Sequence, residues 1–176
     1  MRGKWDPKDS QFVKPIGISC LAVLYYKIPS HAAENFATKV QEKAGNIGLN
    51  IGSLKGCELK DADINKGSLE TIIKNLQKTE NADYVLAIAD GTHFHKILKS
   101  TEISTKLPTQ QIETKTVHKT KSANIVLSNI IQKLNKKGGG YNRKLKQAAL
   151  PQVNVQKIDL FQSFLQDTMV QGCAFG

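Results

Sequence analysis

Acidic residues all but vanish from one stretch of this chain. Between His93 and Lys146 stand twelve Lys or Arg and only Glu102 and Glu113, whereas the other 122 residues carry thirteen basic and thirteen acidic residues. The whole net charge of +10 therefore comes from one contiguous segment. Such asymmetry points to a polyanion or a phosphate group as partner, with a merely solvated basic face as the competing reading. Cysteine is scarce too. Cys20, Cys57 and Cys173 are odd in number, widely spaced and free of any CxxC pair, which argues against a disulfide framework and a zinc signature. A reducing compartment is expected, with Cys20 a core residue. Long apolar runs are missing as well. The longest, around Ile16–Tyr26, contains Ser19 and is too short to span a bilayer. It also lacks the basic start and cleavage site of a signal peptide, so no membrane partner is expected.

Catalytic and cofactor motifs are equally absent. No GxGxxG follows a strand, and "GGGYNRK" does not fit the phosphate loop GxxxxGK[ST]. His93 and His95, two positions apart on a helix, diverge and have no acidic or cysteine partner, so they do not read as a metal pair. His31 and His118 are isolated. Asp61 and Asp63 sit in the turn-like "KDADINKG" with no histidine or serine motif beside them. The expectation is a protein without catalysis, cofactor or metal.

What is present is a strong alternation of elements. The 176 residues are 40% apolar, enough for a hydrophobic core. Met1–Lys14 reads as a polar lead-in, in which Trp5 could dock on a neighbour. Ile16–Ile28 is almost continuously apolar, as a buried parallel strand is. A helix follows, with Ser30 as its cap and Gly45 or Gly48 as its stop. "GCELKDADINKG" reads as a short strand and turn. A second helix begins at Ser68 as cap, its stripe formed by Leu69, Ile72, Ile73 and Leu76. Ala82–Asp90 is the clearest central strand. A third helix is capped by Thr92, a strand runs from Thr109 to Val117, and a fourth helix runs from Ser122, a possible cap, to the glycines at 138–140. "TMVQGCAFG" reads as a further strand. The order predicts an α/β, Rossmann-like fold: a mostly parallel central sheet flanked by helices on both faces.

In such a sheet, ligands bind beyond the carboxyl ends of the strands, so the junction after Asp90 is the first place to look. The helix there carries His95 and Lys99 four apart, on one face, and the last helix carries Lys133 and Lys137 at the same spacing. The lysines of the last helix could simply complement its dipole. Alternatively, a phosphate sits between Lys99, Lys133 and Lys137, converting like-charge repulsion into charge-assisted hydrogen bonds, with Gln110 as a neutral donor.

Four stretches together resemble a known family: "GKWDPKDSQFV", "YVLAIADGTHFHKILK", "PTQQIETKTV" and "SANIVLSNIIQKLNKKGGGYN". They are similar, in order and at nearly the right spacing, to the MID domain of eukaryotic Argonaute proteins. That resemblance implies a Rossmann-like domain over 16–150, a lead-in segment over 1–15, and a connector and first strand over 151–176 leading toward a PIWI domain. It implies a pocket for the 5′-terminal phosphate and first nucleotide of a small guide RNA. The phosphate ligands fall on Lys99, Gln110, Lys133 and Lys137, and a structural asparagine on Asn129. The nucleotide-specificity loop falls on Asp90, Gly91, Thr92, His93 and Phe94, one residue shorter than the common animal form, with Asp90 expected to cap the following helix. The stacking position, usually tyrosine, falls on His95. That smaller ring leaves open whether the guide begins with a monophosphate or a triphosphate. The resemblance further implies a larger cytoplasmic or nuclear protein, with the guide RNA and that protein's other domains as partners and the isolated domain a monomer. The rivals are a nucleotide-using Rossmann-like enzyme and a generic basic nucleic-acid module.

Overall fold

The structure, a computed structural model, describes residues 11–118 and 123–143. By compactness the chain divides after Lys144, and every described residue lies in the first unit. Trp5, Ser122, the expected boundary at residue 150 and the expected connector and strand over 151–176 lie outside the described residues.

Among the described residues, four parallel strands form one sheet in the order β2-β1-β3-β4. They are β1 (Gly17–Tyr26), β2 (Asn50–Leu59), β3 (Tyr84–Ile88) and β4 (Thr109–Ile112). Between them run α1 (Ser30–Asn46), a 3-10 turn (Asp61–Asp63), α2 (Lys66–Glu80) and α3 (Thr92–Thr105), followed by α4 (Thr114–Val117) and α5 (Ala123–Lys137). β1 and β3 are central and buried on both faces, which is why their sequences are almost unbroken apolar runs. β2 is an edge strand and mostly exposed. It is also longer than the short strand expected from "GCELKDADINKG".

Helices on the two faces build two cores. One gathers Leu21, Val23 and Tyr25 of β1 with Phe36 and Val40 of α1 and Leu127, Ile131 and Leu134 of α5. The other gathers Cys20, Ala22 and Leu24 with Leu69 and Ile73 of α2 and Phe94 and Leu98 of α3. The alternation of β1 side chains between these cores is the two-residue period of a strand. The lead-in is tied down at its end: Phe12 N–H donates to Ile47 O (3.1 Å), and Lys14 and Tyr141 exchange backbone hydrogen bonds of 3.0 and 2.8 Å.

The helix starts differ from those expected. α1 begins after Pro29, not Ser30. α2 begins after Asn65, whose Oδ1 accepts from Ser68 N–H at 2.9 Å, so Ser68 is the capped residue and not the cap. α3 begins after Gly91, at φ 92°, with no side-chain cap and no acid in its first turn. Asp90 faces elsewhere: it accepts from Thr114 N–H (2.8 Å) and from the Thr114 hydroxyl, starting α4 instead of α3. That contact also ends β4 early, so the strand expected to reach Val117 stops at Ile112.

Candidate functional site

Among the described residues β4 is an edge strand, and a cavity of about 540 Å³ opens along it. α3 supplies His95 and Lys99, with Gly91 and Thr92 at its start; β4 supplies Gln110, Gln111 and Ile112; α5 supplies Val126, Asn129, Ile130, Lys133 and Lys137. Glu113 and Thr116 complete the wall. The cavity thus follows the sheet edge between two helices and takes in only the α3 side of the junction after β3.

Helical period explains the assembly. Positions four apart share a face, so α3 turns His95 and Lys99 toward β4 while Phe94 and Leu98 pack into the core. Likewise α5 turns Asn129, Lys133 and Lys137 toward β4 while Leu127, Ile131 and Leu134 are buried. Of the expected specificity loop, Gly91 and Thr92 line the cavity. Asp90 and His93 are exposed outside it, and Phe94 is buried. Asn129, expected as structural support, is exposed on the wall. The supporting asparagine is Asn135, fully buried, which accepts from Ile16 N–H (2.9 Å) and donates to Lys14 O (3.3 Å) and Asn142 Oδ1 (2.8 Å).

The electrostatics are those of crowded cations. Lys99 Nζ and Lys137 Nζ both donate to the Thr109 carbonyl, at 3.2 and 2.6 Å. Lys99 also reaches the Thr109 hydroxyl (3.2 Å) and pairs with Glu102. Lys133 carries no hydrogen bond or ion pair among the described residues. Partial burial, then the neighbouring Lys99 and Lys133, push the Lys137 ammonium down to about 8, against the opposing pull of Glu102. Burial works to raise Glu102, but hydrogen bonds from Lys99 and Thr109 and the charges of Lys99 and Lys137 hold its carboxyl below the usual range. The uncapped start of α3, at the cavity rim, adds the positive end of a helix dipole. The arrangement suits an anion with several oxygens.

Two participants were not singled out in the sequence. Gln111 Nε2 donates to Ala89 O at 2.7 Å, and its Oε1 lies 2.8 Å from His95 Nδ1. A carbonyl can only accept, so the amide orientation is fixed, and its oxygen requires Nδ1 to carry a proton. The imidazole is therefore held in one tautomer, leaving Nε2 for a ligand. Gln111 sits in the same "TQQ" as Gln110, but only the fold shows that it reaches His95. Glu102 is the second participant, three residues after Lys99 on α3.

The Piwi-domain family profile matches residues 84–173, half of the sequence, and the chain belongs to that family. Among solved structures it is similar to Drosophila Piwi, at TM-score 0.66 and 19% identity, over 77% of this chain and 19% of that one. It is similar to the MID–PIWI domains of N. crassa QDE-2 Argonaute, at TM-score 0.64 and 16% identity, over 77% of this chain and 38% of that one. It is also similar to the Arabidopsis thaliana AGO5 MID domain, at TM-score 0.58 and 18% identity, over 77% of this chain and 99% of that one. The chain thus spans a small part of the longer relatives and the length of an isolated MID domain. No curated protein sequence matches it.

Proposed function

We propose that this chain is the MID domain of an Argonaute-type protein. In this reading it anchors the 5′-terminal phosphate and first nucleotide of a small guide RNA without catalysing a reaction. The single observation that carries the reading is the convergence of Lys99, Lys133 and Lys137 on one cavity beside Gln110 and His95. The three ammoniums neutralise the phosphate. Gln110 now donates to the adjacent Gln111 carbonyl (2.7 Å) and turns to orient the phosphate. His95, steadied by Gln111, packs against the first base; stacking of this kind contributes about 1–3 kcal/mol. The partners are the guide RNA and the remaining domains of a longer protein, in the cytoplasm or nucleus.

A proton–nitrogen NMR titration tests this. UMP, AMP, CMP and GMP are expected to shift the resonances of Lys99, Gln110, Gln111 and Lys133, whereas uridine leaves them in place. Equal binding of uridine would remove the phosphate from the account. A generic basic module would instead bind RNA irrespective of its 5′ end.

Lys137 adds a pH signature. A bound phosphate stabilises the protonated amine and raises its pKa from about 8 toward that of an ordinary lysine. Binding therefore takes up a proton only between those two values. Affinity keeps its full Lys137 contribution below pH 8 and falls above it, by up to about tenfold per unit. Calorimetry of UMP binding at pH 7 and pH 9, in buffers of different ionisation enthalpy, reads the proton uptake directly. Lys137→Arg is expected to abolish it.

A further inference from the structure

Three lysines meet at the cavity, and the acid that answers them stands behind it. Glu102, almost one turn beyond Lys99 on α3, accepts from Lys99 Nζ and from the Thr109 hydroxyl, the latter at 2.5 Å. Its side chain is 26% exposed and that of Lys99 33%. The pair is therefore partly shielded, where a charge acts more strongly than at an open surface. The other acid at the cavity, Glu113, has its carboxylate on Lys115 at 2.5 Å. Among the described residues Glu102 is thus the acid bonded to the lysine cluster, and its charge also reaches Lys137.

We propose that Glu102 is a specificity-determining residue, a built-in competitor that neutralises Lys99 and biases the site against heavily charged terminal groups. The inference rests on the cavity receiving a 5′-phosphate. Any phosphate brought to the front of Lys99 meets the negative field of Glu102 behind it. That repulsion grows with the number of ligand charges, so a triphosphate suffers more from it than a monophosphate. The same carboxylate positions Lys99 through hydrogen bonds. Glu102→Gln separates the two effects, because the amide oxygen still accepts those bonds while the charge is gone.

The test compares UMP, UTP and uridine binding to the wild-type chain and Glu102→Gln, without magnesium, at two salt concentrations. The variant is expected to bind UMP roughly three- to tenfold more tightly and to gain still more for UTP, with both gains shrinking as salt rises. An unchanged or weakened UMP affinity, or equal gains for the two nucleotides, overturns the proposal. Wild-type protein that does not distinguish UMP from uridine overturns the phosphate reading instead. Should Glu102→Gln unfold, Glu102→Ala decides: a larger gain for UTP than for UMP supports the charge effect, and loss of both affinities overturns it and assigns Glu102 to positioning alone.

Discussion

Lys133→Ala is expected to weaken UMP, AMP, CMP and GMP alike, by roughly 10- to 100-fold, while leaving the melting temperature within a degree or two. The uniform loss follows from what Lys133 would touch, a phosphate oxygen common to all four ligands. Its size follows from the chemistry: a hydrogen bond to a charged group contributes about 1.5–3 kcal/mol. The unchanged stability follows from its surroundings. Lys133 is exposed, and among the described residues it bonds to nothing, so truncation orphans no partner. Lys99→Ala is a poorer experiment, since it also removes the cation paired with Glu102 and a donor to Thr109, leaving Glu102 with the Thr109 hydroxyl alone. Because Lys133 also depresses Lys137, the variant should shift the fall in affinity to higher pH. Calorimetry of the four nucleotides, beside a melting curve, checks both halves. A loss confined to one base would place Lys133 at the base edge.

Gly140→Ala is expected to act oppositely, on stability and not on the pocket. A Cβ there would lie 2.2 Å from Asn135 Oδ1 and 2.6 Å from the Lys14 carbonyl, and Lys14 belongs to the backbone bridge with Tyr141. Neither neighbour can yield cheaply, because Asn135 is fully buried and its Oδ1 holds Ile16 N–H just ahead of β1. Overpacking costs about 1–3 kcal/mol, and a displaced Asn135 leaves a partly buried N–H unpaired for a similar cost. The sum is about 3 kcal/mol, which lowers the melting temperature by roughly 10 °C. A thermal melt reads it, and a loss below about 1 kcal/mol would mean that the turn relaxes freely. The neighbouring glycines have reasons of their own. A Cβ on Gly138 would lie 2.3 Å from Ile16 Cδ1, and Gly139 has φ of 86°. The run stops α5 at Lys137, as expected, and its last member, the buried Gly140, also packs between Asn135 and the lead-in to β1.

The fold was legible where one element's own pattern decides it. Continuous burial marks β1 and β3, and the four-residue recurrence on α3 and α5 places His95, Lys99, Lys133 and Lys137 on the faces that the structure turns to one cavity. What was not legible depends on partners distant in sequence. Asp90 looks like a cap for α3 because it stands just before it, yet Thr114 claims its carboxylate. The sequence resemblance points to Asn129 as the support and passes over Asn135, whose role rests on the approach of Ile16 and Lys14 to α5. Gln111 and Glu102 belong to no motif, and they matter because β4 lies beside α3. Ser30, Ser68 and Thr92 have favoured capping chemistry, but each helix starts one to three residues earlier, where the backbone turns into the helix.

Recognition of an RNA end is tested by the affinity of this chain for a short single-stranded RNA carrying a 5′-phosphate against the same RNA ending in a 5′-hydroxyl, by fluorescence anisotropy at physiological salt. The phosphorylated RNA is expected to bind at least tenfold more tightly, and Lys133→Ala to erase the difference. Equal affinities for the two RNAs would contradict recognition of that end.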